Sequence, residues 1–201
     1  MNKVSTVVDA ADDLRNAILA ALHNVSSHGE RLTLIAAYLD TVIEHHDTIT
    51  NAIRRGAFGS AFALARPVYD SSLRAFWVNA CATDEQVREL VTYDHHDRVI
   101  PRGNDLYSKL DATYGLNNQI QSLKGKWEAM SSYTHSGLRQ LGRRGFRGAK
   151  PHGYTPRAII EIVDFSTSSL ASLARVYINA AGNALWALFV TAMEKDYYAA
   201  A

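Results

Sequence analysis

Cysteine is nearly absent. Cys81 is the only one in 201 residues, so no internal disulfide can staple the fold, and a reducing, cytoplasmic setting is expected. Proline is scarce, with 4 residues, and the 12 glycines leave long stretches of chain untouched; that favours helices. Long hydrophobic runs are missing too. The most apolar stretch, 170–193, is interrupted by Arg175, Asn179 and Asn183, whereas a membrane span needs roughly 20 predominantly apolar residues. No membrane association is expected. Met1-Asn2-Lys3-Val4 leads into Asp9, Asp12 and Asp13 without an apolar run, so no signal peptide is expected. The chain also lacks a Gly-x-Ser-x-Gly elbow, a phosphate loop ending in Gly-Lys, and a dinucleotide fingerprint. No stretch alternates apolar and polar residues long enough for a strand, and there is no internal repeat or low-complexity linker.

What is present is a composition of 47% hydrophobic and 20% charged residues, which excludes a disordered chain and a fibrous repeat. Apolar residues recur at helical spacing over 5–23, with Ser5 as the expected cap, and over 30–55, closed by Gly56. A third helix is predicted over 58–82 with a kink at Pro67. Thr83-Asp84-Glu85-Gln86 is a capping-box pattern opening a fourth, which ends before Pro101. Shorter helices are predicted over 104–114 and 117–133. Thr155-Pro156 supplies a cap and a first-turn proline for a last helix reaching about Tyr198, with a bend near 166–172 or Gly182. The expected fold class is all-α: one helical bundle over 1–201, with five to seven helices and a long C-terminal one.

The net charge of +1 conceals a polarised chain. Residues 112–160 carry eight basic side chains against the single acid Glu128, leaving +7 there and −6 elsewhere. Such asymmetry points to a polyanionic partner. Within that stretch, 137–154 holds five glycines and one proline and reads as a loop. Arg139, Arg143, Arg144, Arg147 and Lys150 there suit phosphate, and Phe146 suits stacking on a base. The same loop could instead dock on the acidic stripe of Asp40, Glu44 and Asp47. Two further runs, Glu44-His45-His46-Asp47 and Asp94-His95-His96-Asp97, resemble each other. Their histidines follow the first acid by one and two residues, not at the Glu-x-x-His spacing of bundle metal sites, so no metal or other cofactor is expected.

The most informative segment runs from Ala65-Arg66-Pro67 through Asp70 and Arg74 to Phe76-Trp77. Arg66, Asp70 and Arg74 are four apart, a charged ladder along one side of an otherwise apolar helix. Polar groups in such a setting need partners, so Asp70 is expected to be partly buried and bonded to at least one of the arginines. Downstream, Tyr133-Thr134-His135-Ser136-Gly137 closes a helix with a histidine able to meet the ladder across the bundle.

Together these two segments, within 58–138, resemble uncharacterised bacterial all-helical families allied to the HEPN superfamily. The resemblance implies a helical bundle, often dimeric, in a group rich in RNA-cleaving toxins and antiviral defence effectors. In active members an arginine is followed, after four to six residues, by a catalytic histidine. Here no arginine precedes His135 at that spacing; Lys126 and Lys124 are the nearest upstream bases. Arg88 and His95 have six residues between them, and Arg147 and His152 have four. The candidates for metal-independent RNA cleavage are therefore His135 with Arg66 or Arg74, beside Asp70, and then Arg88 with His95. The histidine would act as general base or acid, and the arginine would stabilise charge on the phosphorane. The competing expectation is a non-catalytic bundle that works by binding a protein partner or by oligomerising.

Overall fold

Helical periodicity in the sequence becomes helix throughout. The computed structural model describes residues 3–26, 28–93, 96–122, 124–135, 137–143 and 153–200, with side chains at all of these except 96, 97 and 124. The elements in chain order are α1 (Lys3–Leu22), α2 (Glu30–Arg54), α3 (Phe58–Ala63), α4 (Ala65–Ala80), α5 (Asp84–Thr92), α6 (His96–Val99), α7 (Asn104–Tyr114), α8 (Gln119–Ser122), α9 (Lys124–Thr134), α10 (Leu138–Gly142), α11 (Pro156–Ala180) and α12 (Ala184–Ala200). No strand occurs among the described residues, and no helix among them is long and apolar enough to cross a membrane.

Most ends follow from local chemistry. Gly56 stops α2 at φ +72°, and Ala57 N–H closes back on the Ala52 carbonyl at 2.8 Å, a left-handed C-cap. The Thr83–Gln86 capping box forms reciprocally at the start of α5. Thr155 Oγ1 accepts from the Ala158 N–H at 3.2 Å with Pro156 in the first turn of α11. At the N-terminus, α1 starts at Lys3, so Ser5 lies inside the helix rather than capping it.

The expected count of five to seven helices falls short of the twelve described. The predicted helix over 117–133 is described as α8 and α9, and α10 forms at the start of the stretch 137–154 expected to be a loop. Three other predicted segments are broken. The stretch 155–198 divides at Gly182, whose φ of +79° no continuing helix adopts. The fourth segment stops at Tyr93, which is extended, and resumes as α6. The third divides at Leu64, three residues ahead of Pro67. Proline has no N–H to offer the carbonyl four residues back, and its ring crowds that carbonyl. The carbonyl belongs to Ala63, and it accepts the Thr134 hydroxyl instead, at 2.9 Å. One proline thus both breaks a helix and creates the docking point for the end of α9.

The buried apolar residues form a continuous core. α11 lies at its centre, packed against α1, α2, α4 and α12. Val163, Leu170, Leu173 and Ile178 of α11 are fully buried, and Ala171 and Ala174 between them let neighbouring helices approach. α2 contributes Ile35, Val42 and Ile49; α4 contributes Val68, Trp77 and Val78. Each large apolar side chain removed from water stabilises the fold by roughly 1.5–3 kcal/mol before entropy is counted. The short helices α7 and α9 pack on α4, and α9 also packs on α3. A cleft opens between them.

Candidate functional site

Arg66, in the first turn of α4, organises the site. Its Nε donates to Asp70 Oδ2 at 3.3 Å, one helical turn along. Its Nη1 donates to His135 Nε2 at 2.8 Å, bridging 69 positions of sequence. Its guanidinium lies over the ring of Trp127, 4.5 Å from the centroid. A guanidinium has donors and no acceptor, so the bond leaves the His135 ring neutral at Nε2, with its proton on Nδ1. Asp70 is 35% exposed and Arg66 23%, so the pair is wetter than a core ladder. Arg74, the third member, turns instead to the Tyr38 hydroxyl of α2; burial raises that hydroxyl's pKa, and Arg74 opposes the rise.

His135 is exposed, and its position is over-determined. Thr134 is tied to the carbonyl that Pro67 frees. Just beyond, Gly137 lies so close to Ser132 that a Cβ would sit 2.6 Å from its Oγ and 3.0 Å from its carbonyl oxygen. Only glycine fits that approach without a shift. Trp127 and His135 are eight apart, two helical turns, so both fall on the face of α9 turned towards Arg66.

Beside this cluster is an open cleft of about 400 Å³. Arg66, Asp70 and Arg74 form one wall, Trp127 a second, and the loop and first turn of α7 a third. That third wall carries Arg102, Gly103 and Asn104, with Tyr107 one turn deeper. Burial raises the pKa of the Tyr107 hydroxyl, so it is a neutral group at physiological pH. Leu73, Ile100, Pro101 and Leu106 supply the apolar surface. Three arginines and one aspartate are among the residues that line the cleft.

The remaining candidates are dispersed. Arg88 stands exposed on α5, paired with Glu85 at 3.1 Å, and its expected partner His95 lies outside the described residues, as do Arg144, Phe146, Arg147, Lys150 and His152. Arg139 is exposed on α10. Arg143, expected among the phosphate contacts, is engaged inside the molecule. Its Nε donates to the Tyr133 hydroxyl at 2.5 Å and its Nη1 to the Gly153 carbonyl at 2.7 Å. The guanidinium sits 4.8 Å from the Tyr154 ring centroid, 5.7 Å from Phe62 and 5.8 Å from Tyr133. A ring box of this kind holds a cation by its π-faces, so Arg143 fastens the end of α10 to α3 and α9.

The two acid–histidine runs also part company with their sequence appearance. Asp40 and Glu44 are exposed, and Asp47 bonds Arg15 of α1 at 2.6 Å. His46 is fully buried between α1, α2 and α11, with Nδ1 3.0 Å from Ser166 Oγ. Ser166 Oγ is also 3.0 Å from the Val163 carbonyl. Burial, only partly offset by the Asp12 charge, pushes the His46 pKa down to about 4. His46 is a neutral core residue. Among the described residues no group of three or more His, Cys, Asp or Glu side chains is placed to hold a metal ion.

Residues 39–199 match a family described as a family of unknown function (DUF6988). No curated protein and no solved structure matches the chain. The match spans most of the sequence, and the chain belongs to that family.

Proposed function

We propose that this DUF6988 member is a HEPN-like bundle that binds RNA, or a comparable phosphate polyanion, and cleaves it without a metal. In this reading it acts as a toxin or antiviral defence component in a bacterial cytoplasm. The observation that carries the reading is the 2.8 Å contact between Arg66 and His135 beside a cleft lined by Arg66, Arg74 and Arg102. When Arg66 turns from His135 to the phosphate, the Nε2 lone pair it occupied is released and takes the proton of a ribose 2′-hydroxyl. The resulting oxyanion attacks the adjacent phosphorus, and the P–O5′ bond breaks with the 5′-oxygen taking a proton from water. A 2′,3′-cyclic phosphate remains, and the His135 imidazolium returns its proton to solvent. Arg66, oriented by Asp70 and Trp127, turns its fork to the equatorial oxygens as charge builds there.

Incubation with total RNA in EDTA tests this. Cleavage should persist in the chelator and fall by about 100-fold or more in His135→Ala, and Arg66→Lys should lose most activity because the planar fork is gone. Intact RNA, or cleavage only with added metal, overturns the reading.

A second reading has its own support. α12 exposes Leu185 (78%), Leu188 (67%) and Phe189 (38%) on the outside of the bundle, a face suited to a second copy of this chain. A concentration-dependent mass that Leu188→Glu returns to monomer supports association there; a monomer at all concentrations removes it.

A further inference from the structure

The outer side of α12 is patterned as well as apolar. Positions 185, 188, 192, 195 and 199 are all exposed, and they follow one another at spacings of three and four, the seam along which one helix lies on another. From 185 to 199 the seam runs for two heptads, about 21 Å at 1.5 Å per residue. Leu185, Leu188 and Ala192 make its first part apolar, with Phe189 at the edge. Lys195 stands on the same line, and Asp196 lies one helical turn beyond Ala192. A helix lying in a membrane surface carries lysines and arginines along the rim of its apolar face. α12 has one lysine against Glu194 and Asp196, so its charge does not suit an anionic lipid surface.

The charged end of the seam fixes the direction of a partner helix of the same sequence. In a parallel pair each seam residue faces itself across the two-fold axis, so Lys195 would meet Lys195 and Asp196 would meet Asp196. In an antiparallel pair centred on Leu188 and Phe189, Leu185 faces Ala192 and like charges stay apart. Lys195 lies seven residues beyond Leu188 and Gly182 seven before Phe189, about 10 Å along the axis in each case. The charged end of one copy therefore reaches the α11–α12 turn of the other, where Asn179, Ala180 and Gly182 are exposed. There α11 has no basic residue in its last turn and α12 no acidic residue in its first. A helix C-terminus favours a cation and an N-terminus an anion, so the turn complements both Lys195 and Asp196.

We propose that two copies of this chain pair through α12 as an antiparallel two-fold dimer centred on Leu188 and Phe189, with Lys195 and Asp196 of each seated at the α11–α12 turn of the other. The pairing rests on the association reading of α12 and adds its direction and its charged contacts. No residue lining the cleft beside Arg66 lies on α12, so contact between the two α12 helices covers neither cleft.

Oxidative crosslinking reads the direction. Leu185→Cys and Ala192→Cys are made as separate full-length chains in a Cys81→Ser background, checked by melting curves, then mixed and oxidised. The mixed disulfide dimer should exceed either self-linked dimer about ten-fold. Positions 185 and 192 of opposite copies face each other, whereas two copies of either one stand about 10 Å apart along the axis, too far for a disulfide. An excess of self-linked Ala192→Cys assigns a parallel pair and overturns the proposal, while association through α12 stands. Sedimentation equilibrium of Lys195→Glu in the otherwise unaltered chain supplies a second reading. Reversing the charge at both copies' helix ends should raise the Kd of the dimer about ten-fold; an unchanged Kd removes the charged contact and overturns the register. A chain that is monomeric at all concentrations overturns the proposal and the association reading together. The same holds for a monomer that is captured by vesicles of phosphatidylcholine and phosphatidylglycerol, which would assign the face to a lipid surface.

Discussion

Acid should loosen this bundle through one residue, His46. In the folded chain its pKa is pushed down to about 4, while in the unfolded chain a histidine titrates near 6.5. Between those values the unfolded state binds a proton that the folded state refuses, so stability rises with pH across that window. The contribution is complete above about pH 6.5, is lost progressively on acidification, and is gone below about 4. A gap of about 2.5 pH units at 1.36 kcal/mol each amounts to roughly 3 kcal/mol, with most of it lost by pH 4.5. The side chain is fully buried, so solvent screening takes little from that figure. His46→Asn keeps a polar partner for Ser166 Oγ and removes the titration. Urea unfolding of both proteins at several pH values from 7.5 to 4.5 isolates the effect, because the other seven histidines contribute equally to each. The variant should start less stable by about 1–3 kcal/mol at pH 7.5, and the gap should close or reverse by pH 4.5. A constant gap across the series would show that His46 is not held neutral by burial.

Three further outcomes are expected. Asp70→Ala should cost only about 0.5–1 kcal/mol, because the Arg66–Asp70 pair is open to solvent; a loss of several kcal/mol in a melting experiment would mean that the pair is sealed. Arg143→Ala should lower stability by about 1–2 kcal/mol by emptying the ring box, without altering the salt dependence of RNA affinity; a flatter salt slope would return Arg143 to the phosphate contacts. Gly137→Ala should displace the end of α9, since the new methyl meets Ser132 at 2.6 Å, and RNA cleavage should fall far more than the melting midpoint; unchanged cleavage would show that the position of His135 does not depend on this approach.

The helices were legible because each buries one stripe, and caps and glycines mark where the stripes stop. Breaks were less legible. Pro67 announced a disturbance, but the position of the break depended on which carbonyl it deprived, and the reason the break is stable lies in Thr134, far along the chain. His46 was hidden by its neighbours. Glu44, His45 and Asp47 make the run look polar, yet 42, 46, 49 and 53 share the stripe that Val42, Ile49 and Ile53 bury. That stripe was a signal in the sequence. Arg143 was hidden by its company of glycines and arginines, and its box is assembled from Phe62, Tyr133 and Tyr154, three segments that only the fold brings together.

The site itself divides along the same line. Arg66 with Asp70 follows from spacing alone, since four residues are one turn of helix. Trp127 with His135 follows from the same rule on a second helix, although Trp127 drew no attention as a lone aromatic. What no spacing rule supplies is the meeting of the two helices. That meeting depends on the carbonyl of Ala63, bare because Pro67 has no N–H and satisfied by the residue immediately before His135. The Arg-Pro dipeptide is thus a positioning device as well as part of the ladder: the arginine supplies the charge, and the proline exposes the acceptor that brings a histidine to it. The third wall, with Arg102 and Asn104 ahead of α7, has no comparable tether in the sequence. It reaches the arginines of α4 only because α7 packs on that helix, and so the cleft, unlike the pair at its rim, becomes visible only in three dimensions.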